Sequence, residues 1–132
     1  MSVFVDTSAF LALVGPSDMH HVAAGATWEA VTQRGETLIV TNYILLETFA
    51  LVQRRFGLPI VRALQQIVAP YLQTHWVDAS IHALGVAALL AANRRQLSLV
   101  DCTSFQAMRQ LGIDTVFAFD EHFAEQQFIC IP

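Results

Sequence analysis

Four acidic residues stand in apolar company. Asp6 closes the run Val3-Phe4-Val5, and Asp120 follows Val116-Phe117-Ala118-Phe119. Glu47 has Tyr43, Ile44, Ala50 and Leu51 as its helical neighbours at i−4, i−3, i+3 and i+4. A solvated glutamate would sit on a polar stripe, so Glu47 is expected to face inward. Asp101 lies in Ser98-Leu99-Val100-Asp101. Four inward acids repel one another: two charges ~4 Å apart cost about 4 kcal/mol at an effective dielectric near 20. Such a group is tolerated only with bound cations or with raised pKa values. Hard oxygen ligands of this kind suit Mg²⁺ or Mn²⁺.

Each acid also has a purely structural explanation. Asp6 and Asp120 each precede a possible helix and are good N-caps. Glu47 is an acid near a helix N-terminus, where negative charge is favoured. The spacing of Ser98 and Asp101 is that of a capping box. A cap at Asp101 would still place its carboxylate at a helix start near the sheet edge.

The elements that must position these residues are legible as alternating short apolar strands and helices. Strands are expected at Val3–Val5, Leu38–Val40, Thr74–Val77, Thr115–Phe119 and Phe128–Ile131. Helices are expected at Ser8–Val14, Asp18–Gln33 with Ser17 as cap, Asn42–Phe56, from Pro59 to Leu72, Ala79–Arg95, and Ser98–Gly112. This alternation predicts an α/β fold, a parallel sheet covered on both faces. In such sheets, sites form outside the carboxyl ends of the strands, where Asp6 and Asp120 fall.

The chain has 132 residues, a length that predicts one domain able to bury a core without staples. Hydrophobic residues make up 55% and charged residues 14%, well below the roughly 25% charged of an ordinary soluble domain. A thin polar surface predicts an exposed apolar patch and excludes disorder. All seven basic residues are arginines. The absence of lysine excludes P-loop and Schiff-base chemistry and argues against an aspartyl-phosphate site. A phosphatase-like reading of Asp6 also fails on Ser8, which stands where a second aspartate would be needed. Setting the four acids aside leaves seven acids against seven arginines, so the net charge of −4 could reside in one pocket. Cys102 and Cys130 lack CxxC spacing and are expected to be buried, reduced thiols of a cytoplasmic protein. The N-terminal residues do not resemble a signal peptide, and the uncharged run Ala79–Asn93 is too short and too polar to span a bilayer.

The four acids and their surroundings resemble the PIN-domain family. The matching pieces are Val5-Asp6-Thr7-Ser8; Thr41-Asn42 followed by Glu47; Ser98-Leu99-Val100-Asp101-Cys102-Thr103-Ser104-Phe105; and Phe119-Asp120-Glu121-His122-Phe123. They occur in the family's order across nearly the whole chain, and the closest likeness is to VapC-type toxins of toxin–antitoxin pairs. The resemblance implies a three-layer α/β/α sandwich with a mainly parallel sheet, and a metal-dependent endoribonuclease. It carries the family's acids onto Asp6, Glu47, Asp101 and Asp120, with Asp114 and Glu121 as neighbouring alternatives to the last. It gives Thr7, Asn42 and Ser104 the task of positioning water or phosphate. In such a pocket Mg²⁺ or Mn²⁺ would be held mainly by Asp6 and Asp101, while Glu47 and Asp120 orient hydrated metal or accept a proton. The implied partners are RNA and an antitoxin protein. The apolar surface suits a homodimer.

A net-acidic nuclease needs local positive charge for a polyanion. The candidates are Arg54 with Arg55, Arg94 with Arg95, Arg62 and Arg109; Arg54 lies two turns after Glu47 on one helix face. The five histidines share no ligand spacing, so no zinc site is expected. The remaining acids, Asp18, Glu29, Glu36, Asp78, Asp114, Glu121 and Glu125, are expected to be helix-start, turn or solvated residues. The competing function is a non-catalytic binding module of the same fold, which would act by protein–protein or RNA binding and would not need the acids.

Overall fold

Val3, Phe4 and Val5 are all fully buried, although successive strand residues point to opposite faces. Both faces of the central strand are therefore covered, as parallel sheets require. The structure, a computed structural model, describes residues 1–132. Its strands are β1 (Ser2–Val5), β2 (Thr37–Thr41), β3 (Leu72–His75), β4 (Thr115–Phe117) and β5 (Ile129–Ile131). Its helices are α1 (Thr7–Val14), α2 (His21–Gln33), α3 (Asn42–Phe56), α4 (Leu58–Ala63), α5 (Ala79–Ala92), α6 (Leu99–Leu111) and α7 (His122–Glu125).

All strand pairs are parallel, in the order β3-β2-β1-β4-β5. From β1 the chain winds outward to β2 and β3, then returns to lay β4 on the other side of β1. The reversal falls between β1 and β4, which pair Phe4 with Val116 and Val5 with Phe117. Connections leave these two carboxyl ends in opposite directions, so a crevice opens there. Phe4, Phe10, Leu38, Ile44, Met108, Phe117 and Phe123 fill the core.

Local sequence explains the helices around that crevice. Asp6 caps α1, Thr41 caps α3 through Ile44 N–H at 3.1 Å, and Asp78 caps α5 through Ile81 N–H at 2.9 Å. A reciprocal Ser98–Asp101 capping box opens α6, and Gly112, at φ 68°, closes it. α5 packs on α6 through Gly85. A Cβ there would fall 2.5 Å from Thr103 Cγ2. Thr103 cannot swing aside, because its buried hydroxyl is bonded to the carbonyls of Leu99 and Val100. This close approach holds the helix that carries Asp101.

Several boundaries differ from the sequence expectation. α2 starts at His21, because the Asp18 carboxylate accepts from His20 N–H at 2.8 Å and holds a turn in place of the first helical residues. The helix after Pro59 ends at Ala63, passes through a π-helical turn (Leu64–Val68) and a 3₁₀ turn (Ala69–Tyr71), and releases β3 two residues early. Pro70 sits in that transition and cannot donate the helical hydrogen bond. α5 stops at Ala92, where Asn93 turns left-handed at φ 50°. β4 ends at Phe117, and the possible helix after Asp120 is the single turn α7, whose N-cap position is Glu121. Glu36, expected to be solvated, is sheltered: its carboxylate pairs with Arg34 and the N-terminal amine.

The expected apolar surface is present. Leu46 of α3 and Leu84 and Leu90 of α5 are exposed, as are Met19, Val22 and Trp76. Cys102 is a buried free thiol and Cys130 a half-buried one. No helix is long and apolar enough to cross a membrane.

Candidate active site

The crevice takes its acids from four separated segments. Asp6 leaves β1 and is 4% exposed. Its Oδ2 accepts from Ser8 N–H at 3.0 Å and Ser8 Oγ–H at 2.6 Å, the second a charge-assisted bond. The same Ser8 oxygen accepts from Phe119 N–H at 3.0 Å. One hydroxyl thus ties the exit of β4 to the exit of β1 and sets Asp120 beside Asp6. Asp120 Oδ1 accepts from His122 N–H at 2.9 Å, which closes the turn into α7.

Glu47 reaches the crevice from α3. The helix is pinned alongside by Thr48, whose hydroxyl bonds that of Thr7 at 3.0 Å. Asp101, at the third position of α6, accepts from Ser98 N–H at 3.0 Å. Its capping role and its place in the crevice coexist. Together Asp6, Glu47, Asp101 and Asp120 line one cleft of about 280 Å³ with Thr7, Ser8, Gln96 and Ser98, and no basic side chain lines it. Ligand atoms of Asp101, Asp120 and His122 lie within 4.8 Å of one another, close enough to share one cation, with the His122 ring beside the cleft lining rather than part of it.

The electrostatics follow from crowding. Burial pushes the Asp6 carboxyl up to about 6 against the opposing Ser8 bonds, and the carboxylates of Asp101 and Asp120 push it further. Glu47 is raised by partial burial, then by Asp101 and Asp120. Asp101 is raised by burial and by Asp120, while its Ser98 bonds and the nearby His122 pull it down. No arginine lines the cleft to offset these acids, so the donor set suits a divalent cation bound through oxygen.

The other sequence candidates are placed as follows. Thr7 lines the cleft. Asn42 points elsewhere: its Oδ1 accepts from Val77 N–H at 2.7 Å and ties the chain after β3 to α3. Ser104 is fully buried, its hydroxyl without a partner, and does not line the cleft. Arg54 is exposed on α3, outside the cleft lining. Asp114 precedes β4, at the amino end of the sheet, and Glu121 is exposed; neither lines the cleft. Ser8, Gln96 and His122 belong to the site and were not singled out for it. Ser8 carried a usable signal, a hydroxyl two residues beyond a strand-ending aspartate. His122 did too, in the Asp120-x-His122 spacing. Gln96 carried none.

The chain matches the PIN domain family over residues 3–129. It is 31% identical over 128 residues to the 23S rRNA-specific endonuclease VapC20 of Mycobacterium tuberculosis, covering 96% of this chain and 95% of that protein. The crystal structure of M. tuberculosis VapC20, described as a Sarcin-Ricin loop cleaving toxin, superposes with a TM-score of 0.85 at 30% identity, covering 97% of each chain. VapBC2 from Rickettsia felis, solved bound to a DNA fragment from its promoter, shares the fold at 11% identity, with a TM-score of 0.73 and coverage of 98% and 97%. The five-stranded parallel sheet, its flanking helices and the matched sequence make this chain a member of the PIN domain family.

Proposed function

We propose that this protein is a divalent-cation-dependent endoribonuclease, the toxin of a toxin–antitoxin pair, acting in the cytoplasm. The observation that carries the reading is the convergence of Asp6, Glu47, Asp101 and Asp120 on one cleft that no arginine lines. The endonuclease named among its relatives favours catalysis over a non-catalytic binding module, which would have no use for such mutual repulsion.

Asp101 and Asp6 hold Mg²⁺ or Mn²⁺, and Asp120 completes the anionic set. When bound, the cation supplies positive charge against the phosphoryl oxygens and lowers the pKa of water. Glu47 accepts a proton from the attacking water at its carboxylate, and its raised pKa makes it a better base than a solvated glutamate. Ser8 keeps Asp6 and the Asp120 turn in fixed relation, and Thr7 positions water or phosphate at the cleft wall. Arg54 on α3, and Arg95 beside the cleft-lining Gln96, hold flanking phosphates.

An antitoxin and a second copy of the chain are the proposed protein partners. The second copy covers α5, which carries no Asp, Glu, Lys or Arg and exposes Leu84 and Leu90. Light scattering should give a dimer at micromolar concentration; a monomer would contradict that part. The function itself is tested by incubating purified, antitoxin-free protein with structured ribosomal and transfer RNA and Mg²⁺ or Mn²⁺. Discrete cleavage, abolished by EDTA and by Asp101→Asn, is expected. Intact RNA under both metals would overturn the reading.

A further inference from the structure

Arg94, Glu125 and His122 form a chain of close contacts that ends on Asp120. Arg94 Nη1 donates to Glu125 Oε2 at 2.7 Å. The same carboxylate oxygen lies 3.7 Å from His122 Nδ1. On the other side of the ring, His122 Nε2 lies 3.7 Å from Asp120 Oδ1. The imidazole is only 11% exposed, and its Nδ1 is sealed from solvent with no hydrogen-bond partner.

We propose that His122, through Nε2, is a nitrogen ligand for the cation held by Asp101 and Asp6, reaching it from the Asp120 side of the acid set, with Glu125 as the positioning residue that orients the ring. This rests on the cation reading given above. Each ring nitrogen faces a carboxylate at 3.7 Å, Nδ1 that of Glu125 and Nε2 that of Asp120. A cation bound beside Asp120 takes up the Nε2 lone pair, which leaves the ring proton on Nδ1, toward Glu125. Ligating histidines are oriented in this way, with the distal N–H turned to a carboxylate. The backbone supports the same assignment: His122 N–H binds Asp120 Oδ1, so one turn fixes both the carboxylate and the ring. Arg94 in turn holds Glu125 in place.

The consequence is metal preference. Imidazole nitrogen suits Mn²⁺ better than Mg²⁺, which favours oxygen and retains its waters. A site of carboxylates alone would discriminate less. The rival role for His122 is an imidazolium that offsets the carboxylates without touching the metal. It predicts the opposite response, because removing that positive charge would tighten cation binding.

Pulsed EPR of the Mn²⁺-loaded wild-type protein tests this without any variant. Modulation from a directly coupled ¹⁴N nucleus is expected. Calorimetric titration then compares His122→Ala and Glu125→Gln with wild type. His122→Ala should lose ¹⁴N coupling and weaken Mn²⁺ binding at least about 10-fold, with Mg²⁺ binding changed less than about 3-fold. Glu125→Gln should keep the coupling but lower the Mn²⁺/Mg²⁺ affinity ratio, a readout that a merely structural role would leave unmoved. Stoichiometric Mn²⁺ without ¹⁴N coupling, or tighter binding by His122→Ala, would overturn the ligand assignment and leave the cation reading standing. Absence of Mn²⁺ binding by the wild-type protein would sink the cation reading itself.

Discussion

Two aspartates in this molecule cap helices in the same way and have different surroundings. Asp78 opens α5 beyond β3 through Ile81 N–H, and Asp6 opens α1 beyond β1 through Ser8 N–H. Asp78 is exposed at the edge of the sheet. Asp6 is buried at the reversal between β1 and β4, with Asp101 and Asp120 close enough to raise its pKa. Capping therefore does not compete with chemistry as an explanation of such residues. Local sequence makes the cap, and topology decides whether the cap meets other acids. The same contrast holds for two polar clamps. Ser8 joins the exits of β1 and β4 inside the cleft, whereas Asn42 joins α3 to the chain after β3 outside it.

The largest effect should separate the two classes of cap. Asp6→Asn and Asp101→Asn are expected to lower RNA cleavage by about 10³-fold or more, as loss of metal-held charge does. Asp78→Asn should stay within about 2-fold of wild type. Asparagine caps as well as aspartate, so circular dichroism should show all three folded. Equal loss in all three would erase the distinction.

The next effect is on stability in metal-free protein. The native Asp6 carboxyl binds its proton up to about pH 6, while the unfolded chain releases it near the usual carboxylate range. Between those values the native state holds more protons, so this group's contribution falls as pH rises and the deficit is complete above about 6. Asp6→Asn removes that deficit, on the order of 3 kcal/mol. Urea unfolding in EDTA should therefore find the variant more stable than wild type at pH 7.5, with the difference shrinking toward pH 4. A constant difference across that range would contradict the burial account of Asp6.

Smaller effects distinguish the clamps. Ser8→Ala should cost about 1–2 kcal/mol and lower cleavage roughly 10-fold, because Asp6 and the Asp120 turn lose their shared hydroxyl. Asn42→Ala should cost about 1 kcal/mol in unfolding while cleavage changes less than about 3-fold. A larger loss of cleavage in Asn42→Ala would return that residue to the positioning role its place in the sequence suggested.

Much of this was legible before the structure, for identifiable reasons. The strand-ending positions of Asp6 and Asp120 survive errors of a residue or two in strand length, because both still exit at the carboxyl edge. Helical spacing alone placed Glu47 on an apolar stripe, and it reaches the cleft. Asp101 was visible through its capping box. What escaped depends on contacts between distant segments. Phe119 N–H finds Ser8 across more than a hundred residues, and Asn42 finds Val77 across the β3–α5 loop. His122 joins Asp101 only once α6 and α7 are packed. α4 gives way to a π turn and a 3₁₀ turn before β3, a change of helix type that residue spacing does not report.

The central claim is that the acids at the β1–β4 reversal form a cation site that the cap at α5 cannot supply. Titrating Mn²⁺ into metal-free wild type, Asp101→Asn and Asp78→Asn at pH 7.5 tests it most directly. The account predicts saturable binding to wild type and Asp78→Asn, and its loss in Asp101→Asn. Saturable binding that survives Asp101→Asn, or none in wild type, would contradict it.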